Sequence, residues 1–586
     1  MTQRNYDASM LTALRRDRAA ADFFKRQRLL TDQSNPLFVY PSINPQTSNY
    51  DASVMGQIAT GSFTTWTKPC LLSIPSVPCS CTALGPCRTD PSDPSDPCSQ
   101  TDTAVLLALE QLLVYCAPLT TPGGPTVMSR TVYVWFLSVA GGVNWASGSL
   151  GPLLPVVTDQ WDWSVQPAAL NEADLSTWTT LILLHVMTTM VPGYDSAPLL
   201  AFEQGIRRWT PAQQTSAQMA VMATGRYSDW LSAWNTWRAG RNADGSSAAS
   251  AGGTPATAPS VFPNGATYLD VNGTVNPATF ANPGLWTPLL INGTVRQKYY
   301  TYAWHDVSST CLSPVDESDL SGTAAPFFPS AGQRTTEIGD LVAMTAALTD
   351  TEKVTAEWWA GGPGTVTPPG MMVWFWKNYV GTYRVFDTLG TTVFWRSGLQ
   401  LAVNLFEAGR VVWGLKRAYV QARPIQEIRR LYYGQTVTRY DGVSISGESW
   451  IPYQEASFVT PGFPDFPSGH SAFSQVFAAT MTQWFGPSVR SDGIIVLSDL
   501  TLMSPMFTGI QTGPYGSVVV PQGSSLVQPS VVPSAPVTLS WPTWQSLADS
   551  AGISRQYGGI HCQSAHVASQ AVATQLVGLV RGYWGF

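Results

Sequence analysis

Three short motifs in the last third of the chain gather side chains that could hold a tetrahedral oxyanion. They are Lys416-x6-Arg423-Pro424, Pro467-Ser468-Gly469-His470 and Ser554-Arg555-x5-His561, in that order. A guanidinium presents a rigid fork of donors that matches phosphate-like oxygens and stays charged at any working pH. Lysine adds a compact point charge, and charge-assisted bonds of this kind are the strong ones. Of two imidazoles, one can attack or ligate the central atom while the other moves protons. Each motif alone is ordinary: a Lys and an Arg at this spacing are usually solvated, and Pro-Ser-Gly-His is usually a turn into a helix. The ordered combination is not, because the chain has only five histidines and two of them complete these motifs.

The three motifs resemble those shared by type 2 phosphatidic acid phosphatases, bacterial class A acid phosphatases and vanadium-dependent haloperoxidases. The flanks favour the last group. LTDTEKVTAEWWAGGPGTVTPPG, from Leu348 to Gly370, is similar to the segment before the first motif in large vanadium haloperoxidase-like proteins, and PGFPDFPSGHSAFSQVFA is similar to theirs as well. The likeness covers roughly residues 330–586.

The resemblance implies a role for each matching residue. His561 matches the histidine that binds vanadium in the peroxidases and attacks phosphorus in the phosphatases, and His470 matches the acid–base histidine. Lys416, Arg423, Arg555, Ser468 and the Gly469 amide match the groups that hold the equatorial oxygens. In a peroxidase the cofactor would be vanadate, Lys416 would polarise bound peroxide, and halide attack would release a hypohalous species. In a phosphatase the same cage would neutralise a phosphoryl group and His561 would form a transient phospho-enzyme. Trp413 and Phe463 stand where an aromatic pair accompanies the chloroperoxidase type, and are halide-site candidates; an ordinary core role is the alternative. Two positions depart from the family pattern. Gly361 and Gly362 stand where relatives often carry an acid that orients a cage arginine, and Ala565 and His566 stand where relatives often carry an acid after the last histidine.

Length and composition narrow the rest. At 586 residues the chain can bury more than one core. Charged residues make up 12% and the net charge is −6, with no long basic stripe, so nucleic acid is not an expected partner. No apolar run reaches the roughly 18 residues of a membrane span, and the N-terminus has no classical signal peptide. The expectation is a protein without a transmembrane segment, which disfavours the lipid-phosphatase branch. Arg4, Arg15, Arg16, Arg18, Lys25, Arg26 and Arg28 sit at helical spacing in a first helix, read as solvated or as an arm on a membrane surface or a neighbouring subunit. Five of eight cysteines (Cys70, Cys79, Cys81, Cys87 and Cys98) crowd a Pro-rich loop at 36–100, a pattern compatible with disulfides in an oxidising compartment, though free thiols or zinc are alternatives. The compartment itself stays unassigned. Asn272-Gly-Thr274 and Asn292-Gly-Thr294 are formal glycosylation sequons that read better as turns.

Apolar periodicity predicts a mainly α protein with long surface loops, and the resemblance implies two helical bundles with the active site in the C-terminal one. Residues 1–240 form the N-terminal helical domain with the Cys/Pro-rich loop, 241–262 a linker or long loop, and 263–586 the haloperoxidase-like domain. A helix running to Gln421 is expected to place Lys416 and Arg423 on one face. Ser468 is expected to cap the helix behind it, whose free amides and positive end favour anions. Residues 487–540 read as a hairpin or lid, and His185, His305 and His566 as structural. The leading reading is a vanadate-dependent haloperoxidase acting on hydrogen peroxide, halide and a small organic acceptor, as a possible homo-oligomer. A soluble acid phosphatase using a phosphohistidine is the second reading. A structural or assembly protein retaining a degenerate oxyanion pocket is the third.

Overall fold

A computed structural model describes residues 100–586 except 148–171, 242–282, 490–510, 513–516 and scattered breaks of one to three residues. The basic first helix, the Cys/Pro-rich loop up to residue 99, the stretch 242–262 and the asparagines of both sequons lie outside the described residues. Those described form fifteen α-helices and seven short strands, so the chain is mainly α, as the periodicity predicts.

The first group is α1 (Gln100–Cys116), α2 (Thr120–Ser147), α3 (Glu172–Met190), α4 (Ala197–Arg207), α5 (Pro211–Met222) and α6 (Arg226–Arg241). Thr210 opens α5 with a capping box to Gln213 and Pro211 in the first turn, the predicted start signal. The periodic run from Pro211 to Arg238 divides between α5 and α6 at Gly225, whose φ of +77° a side chain would resist.

The second group is α7 (Pro314–Ala324), α8 (Ala331–Ala346), α9 (Asp350–Trp358), α10 (Thr367–Thr382), α11 (Thr391–Tyr419), α12 (Pro424–Leu431), α13 (Gly469–Phe485), α14 (Trp544–Tyr557) and α15 (Gln563–Trp584). Helix α13 is its centre, packed by α11, α14 and α15. Helix α2 lies along α11, so apolar residues from Ala104 to Trp584 form one continuous core. Gly398 permits that approach: a Cβ there would stand 2.4 Å from Phe136 Cε1 and 2.8 Å from Trp376. Among the described residues, fourteen tryptophans are almost wholly buried. At about 25 cal/mol per Å² and roughly 150–250 Å² each, their burial is worth roughly 4–6 kcal/mol apiece before entropy, so a chain this poor in charge can still fold tightly.

One expectation is corrected. Helix α11 stops at Tyr419, not near Gln421, because Val420 turns into the left-handed region at φ +47°. The chain then runs extended, with Gln421 bridging to Leu285, and Arg423 caps the start of α12 in front of Pro424. Lys416 and Arg423 therefore belong to different helices, brought together by the break.

The strands pair as β1 (Leu290–Ile291) with β2 (Thr294–Val295), β3 (Thr436–Thr438) with β4 (Ser444–Ser446), and β5 (Gln511–Thr512) with β6 (Val518–Val520) and β7 (Val537–Leu539), all antiparallel. Within the stretch read as hairpin or lid, the described part is this last sheet and the turns between β6 and β7, laid on α9. Glu357 of α9 is its anchor, accepting from Ser525 Oγ at 2.5 Å, Leu526 N at 3.1 Å and Tyr453 Oη at 2.5 Å. Burial outweighs these hydrogen bonds and pushes the Glu357 carboxyl up to about 7. A raised carboxyl pKa favours the folded state most when protonated. Stability should therefore be fully present below the unfolded value near 4.5 and fall by up to about 3 kcal/mol as pH rises through 7. Chemical denaturation of wild type and Glu357→Gln across pH 4.5–8 should show that slope flattened in the variant; an unchanged slope would place the titration elsewhere.

Candidate active site

The breaks between helices place the motif residues around one cleft. Lys416 comes from the last turn of α11 and Arg423 from the cap of α12. Ser468, the N-cap of α13, accepts from Ser471 N at 3.5 Å, and Gly469 and His470 open that helix. Arg555 sits in the last turn of α14, and His561 lies between α14 and α15. His470, His561, Arg555 and Gly469 line the cleft together with Trp413, Phe463, Phe458, Pro461, Pro368 and Pro125. It encloses about 660 Å³, its open mouth included. Pro125, after the kink at Gly124 in α2, belongs to the first group of helices, so both halves of the chain build the mouth.

Lys416, Arg423 and Ser468 stand just behind this lining, fully buried. Lys416 Nζ donates to the carbonyls of Pro464 (2.7 Å) and Asp465 (2.9 Å). Arg423 Nε donates to Phe463 O at 2.7 Å, and Nη1 to Ile560 O at 2.8 Å and to His561 Nε2 at 3.0 Å. Arg555 Nη1 donates to Trp359 O at 2.7 Å, and its Nη2 reaches Gln454 Oε1 at 3.4 Å. Two buried guanidinium nitrogens, Arg423 Nη2 and Arg555 Nε, have no partner. Trp413 and Phe463 meet with ring centroids 4.9 Å apart, and Phe463 lies 5.2 Å from Lys416 Nζ and 5.0 Å from the Arg423 guanidinium. The aromatic pair is thus a wall of the same site.

Both departures from the family pattern are met by other groups. The acid missing at Gly361–Gly362 is replaced by the C-terminal end of α9: Trp359 O, at its C-cap, accepts from both Arg555 and His470 Nε2, the latter at 2.8 Å. Exposed carbonyls at a helix C-terminus carry partial negative charge, so they can hold a cation without a carboxylate. The acid missing after His561 is replaced from the other side. His561 Nδ1 is bonded to Asp465 Oδ1, whose Oδ2 accepts from Arg334 Nη2 at 2.8 Å, and Arg334 Nε also binds Glu427 at 2.6 Å. Neither Asp465 nor Arg334 was singled out from the sequence. Asp465 carried a signal, as the sole acid between Ala456 and Arg490; an acid in so apolar a run calls for a partner. Arg334 carried none.

Electrostatics follow from this crowding. Burial, then Arg423, hold the Lys416 ammonium well below its usual range. Burial lowers Arg423 to about 10, and burial with Arg423 lowers Arg555 to about 9. Burial and neighbouring cations likewise push His470 well down and His561 to about 3. Burial opposes ionisation of Asp465, yet Arg334 and His561 outweigh it and hold that carboxyl well below the usual carboxylate range. Every cation here would be relieved by an anion.

Of the remaining histidines, His185 packs edge-on to Trp230 and Trp234, His305 lies 3.6 Å from Glu317, and His566 Nδ1 bonds Ser471 Oγ at 2.9 Å. Cys562 is buried and free, as a small core residue. Gly361 is under tighter constraint: at φ +52° its missing Cβ would stand 3.2 Å from Pro368 Cδ and 3.4 Å from His470 Nε2. Gly361→Ala should cost about 1–2 kcal/mol in denaturant unfolding. A variant as stable as wild type would contradict this account of the turn.

Residues 397–582 match the family model described as the VCPO second helical-bundle domain. The fold is similar to that of an apo-type bacterial vanadium-dependent chloroperoxidase, at 15% identity and a TM-score of 0.53, over 80% of this chain and 96% of that one. Over residues 397–582 the chain carries a helical bundle of that family, and its overall fold is of the vanadium haloperoxidase type. A bacterial vanadium-dependent iodoperoxidase is similar at 14% identity and a TM-score of 0.51, over 82% of this chain and 96% of its own. The holo-type chloroperoxidase is similar at 15% and 0.50, over 80% and 95%. No curated protein sequence matches the chain. Every motif residue around the cleft, from Lys416 to His561, falls within the matched bundle. Among the described residues, no helix is long and apolar enough to cross a membrane.

Proposed function

We propose that the chain is a vanadate-dependent haloperoxidase, with the cage around His561 as its active site. The observation that carries this reading is the pair of partnerless buried nitrogens, Arg423 Nη2 and Arg555 Nε, flanking a histidine in an apolar cleft. An unsatisfied buried donor is costly, about 1–3 kcal/mol and more when charged, so an arrangement with two of them fits an absent acceptor-rich ligand. Charge agrees: Lys416 and Arg423 are near one carboxylate, Asp465, which Arg334 also binds, and no carboxylate among the described residues bears on Arg555. Such a set fits an oxyanion such as vanadate.

Bound vanadate would supply the Lewis-acidic centre at which hydrogen peroxide becomes able to oxidise halide. The protein's part is to bind, orient and move protons. Arg423, Arg555 and Lys416, with Ser468 and the Gly469 amide at the positive end of α13, would hold the oxygens; Lys416 would exchange its carbonyl partners for them. Arg423 can only donate, so the His561 Nε2 it touches must be a lone pair, the form needed to ligate. Trp359 O can only accept, so His470 presents its proton at Nε2 and its lone pair at Nδ1, and could relay a proton as acid or base.

Trp413 and Phe463 would set halide preference by desolvating the mouth beside the cations. Phe463→His is expected to lower the chloride-to-bromide ratio of kcat/KM by about tenfold, or ~1.4 kcal/mol of discrimination. An unchanged ratio would remove Phe463 from halide selection.

The same lone pair on a neutral His561 also fits a nucleophile toward phosphorus, and vanadate and phosphate share shape and charge. Binding can be tested by thermal shift with orthovanadate and with inorganic phosphate. A ligand at 100 times its Kd raises stability by about 2.7 kcal/mol, which wild type should show and Arg423→Ala should lose. No shift with either ion would leave the structural reading in front.

A further inference from the structure

We propose that Asp465 is the positioning residue of this site, fixing the tautomer of His561 from one side and the seat of Lys416 from the other. The proposal rests on the reading of His561 as the oxyanion ligand, and goes beyond it to a residue outside the three motifs.

The geometry is unusually determinate. Asp465 is fully buried, and its two carboxylate oxygens serve two different partners, His561 Nδ1 and Arg334 Nη2. A carboxylate only accepts, so His561 must carry its proton on Nδ1. Arg423 Nη1, only a donor, stands 3.0 Å from Nε2 on the opposite edge of the ring. An acceptor on one nitrogen and a donor on the other leave one neutral tautomer, the one whose lone pair is on Nε2. The ring is therefore both oriented and set in the form that could bond a central atom, before any ligand arrives.

The backbone of the same residue does the second task. Asp465 N donates to Gln421 O at 3.0 Å, tying this segment to the extended strand that follows α11. Held this way, the carbonyls of Phe463, Pro464 and Asp465 take Arg423 Nε, Lys416 Nζ and Lys416 Nζ in turn. Arg334 keeps the carboxylate in place, also donating to Ala422 O at 2.9 Å beside Arg423. One short segment thus touches the first and third motifs and leads into the second.

The test uses the full chain labelled with 15N-histidine, where five histidines keep the spectrum tractable and His561→Ala assigns the resonance. Nitrogen shifts and two-bond couplings report the tautomer without any ligand. Wild type should show His561 protonated at Nδ1. Asp465→Ala should give a mixture or the opposite tautomer, and Asp465→Asn, whose single oxygen stays with the donor-only Arg334 and turns its amide nitrogen to His561 Nδ1, should favour the opposite tautomer. Affinity for orthovanadate, read by titration, should fall about 10–100-fold in both variants. If Asp465→Ala loses thermal stability but keeps the wild-type tautomer, the residue is merely structural and the proposal is overturned. If Asp465→Ala does not fold, Asp465→Asn decides: loss of the Nδ1-protonated form together with weaker vanadate binding supports the proposal, and a wild-type tautomer with wild-type affinity contradicts it. Wild type that binds no orthovanadate would sink the haloperoxidase reading, while the tautomer would still decide the role of Asp465.

Discussion

Replacing His561 with alanine is expected to reduce vanadate-dependent halide oxidation by on the order of 10⁴-fold or more, the scale on which losing a group bonded to the reacting centre acts in other enzymes. His561 Nε2 is the lone pair held against Arg423 at the cage, so no neighbour can take its place. His470 is turned away on the Trp359 carbonyl. The variant should remain folded, because Asp465 keeps its ion pair with Arg334; a stability loss of about 1–3 kcal/mol is expected from the carboxylate oxygen left without a donor. Circular dichroism and steady-state kinetics on the same preparation check both halves. A folded His561→Ala enzyme with near-normal turnover would contradict the assignment outright.

The second large effect falls on stability. Arg334→Met should destabilise the fold by about 3–5 kcal/mol, because it strands two buried acids that share one guanidinium. The two will respond differently. Burial already pushes the Glu427 carboxyl up to about 6 with Arg334 present, so without it Glu427 can protonate near neutral pH. Asp465 has less freedom: it sits against His561 and the cage, where its ionised form is strongly favoured. The loss should therefore shrink at low pH, where Glu427 is neutral, and Arg334→Lys should restore part of it. Urea unfolding at pH 5 and pH 7.5 measures both. A loss under 1 kcal/mol at both pH values would mean that the network is not holding the carboxylates.

How much of this could be read in the chain depends on the kind of signal. The cage was legible because its chemistry depends on residue type in a fixed order: Lys416, Arg423, Ser468, Gly469, His470, Arg555 and His561 all come to one place. Helix starts were legible where a cap marks them, as at Thr210 and Ser468. The break after Tyr419 was not, since valine gives no warning of a left-handed turn, and that break is what separates Lys416 from Arg423. The supports of the cage were the least legible. Backbone carbonyls, such as Trp359 O and Pro464 O, leave no mark in a sequence, and so the loss of an acid at Gly361–Gly362 read as a missing support when a helix end supplies it. The same holds for Glu357, an ordinary helical residue by pattern that becomes the anchor of a sheet far along the chain only once the chain is folded.

The most direct test of the account is halide oxidation by the purified chain with hydrogen peroxide and chloride, bromide or iodide, before and after loading with orthovanadate. The account predicts turnover that appears with vanadate, is competed by phosphate and is absent in His561→Ala. Stoichiometric vanadate binding with no oxidation of any halide would contradict it, and would turn attention to phosphoester hydrolysis at the same cage.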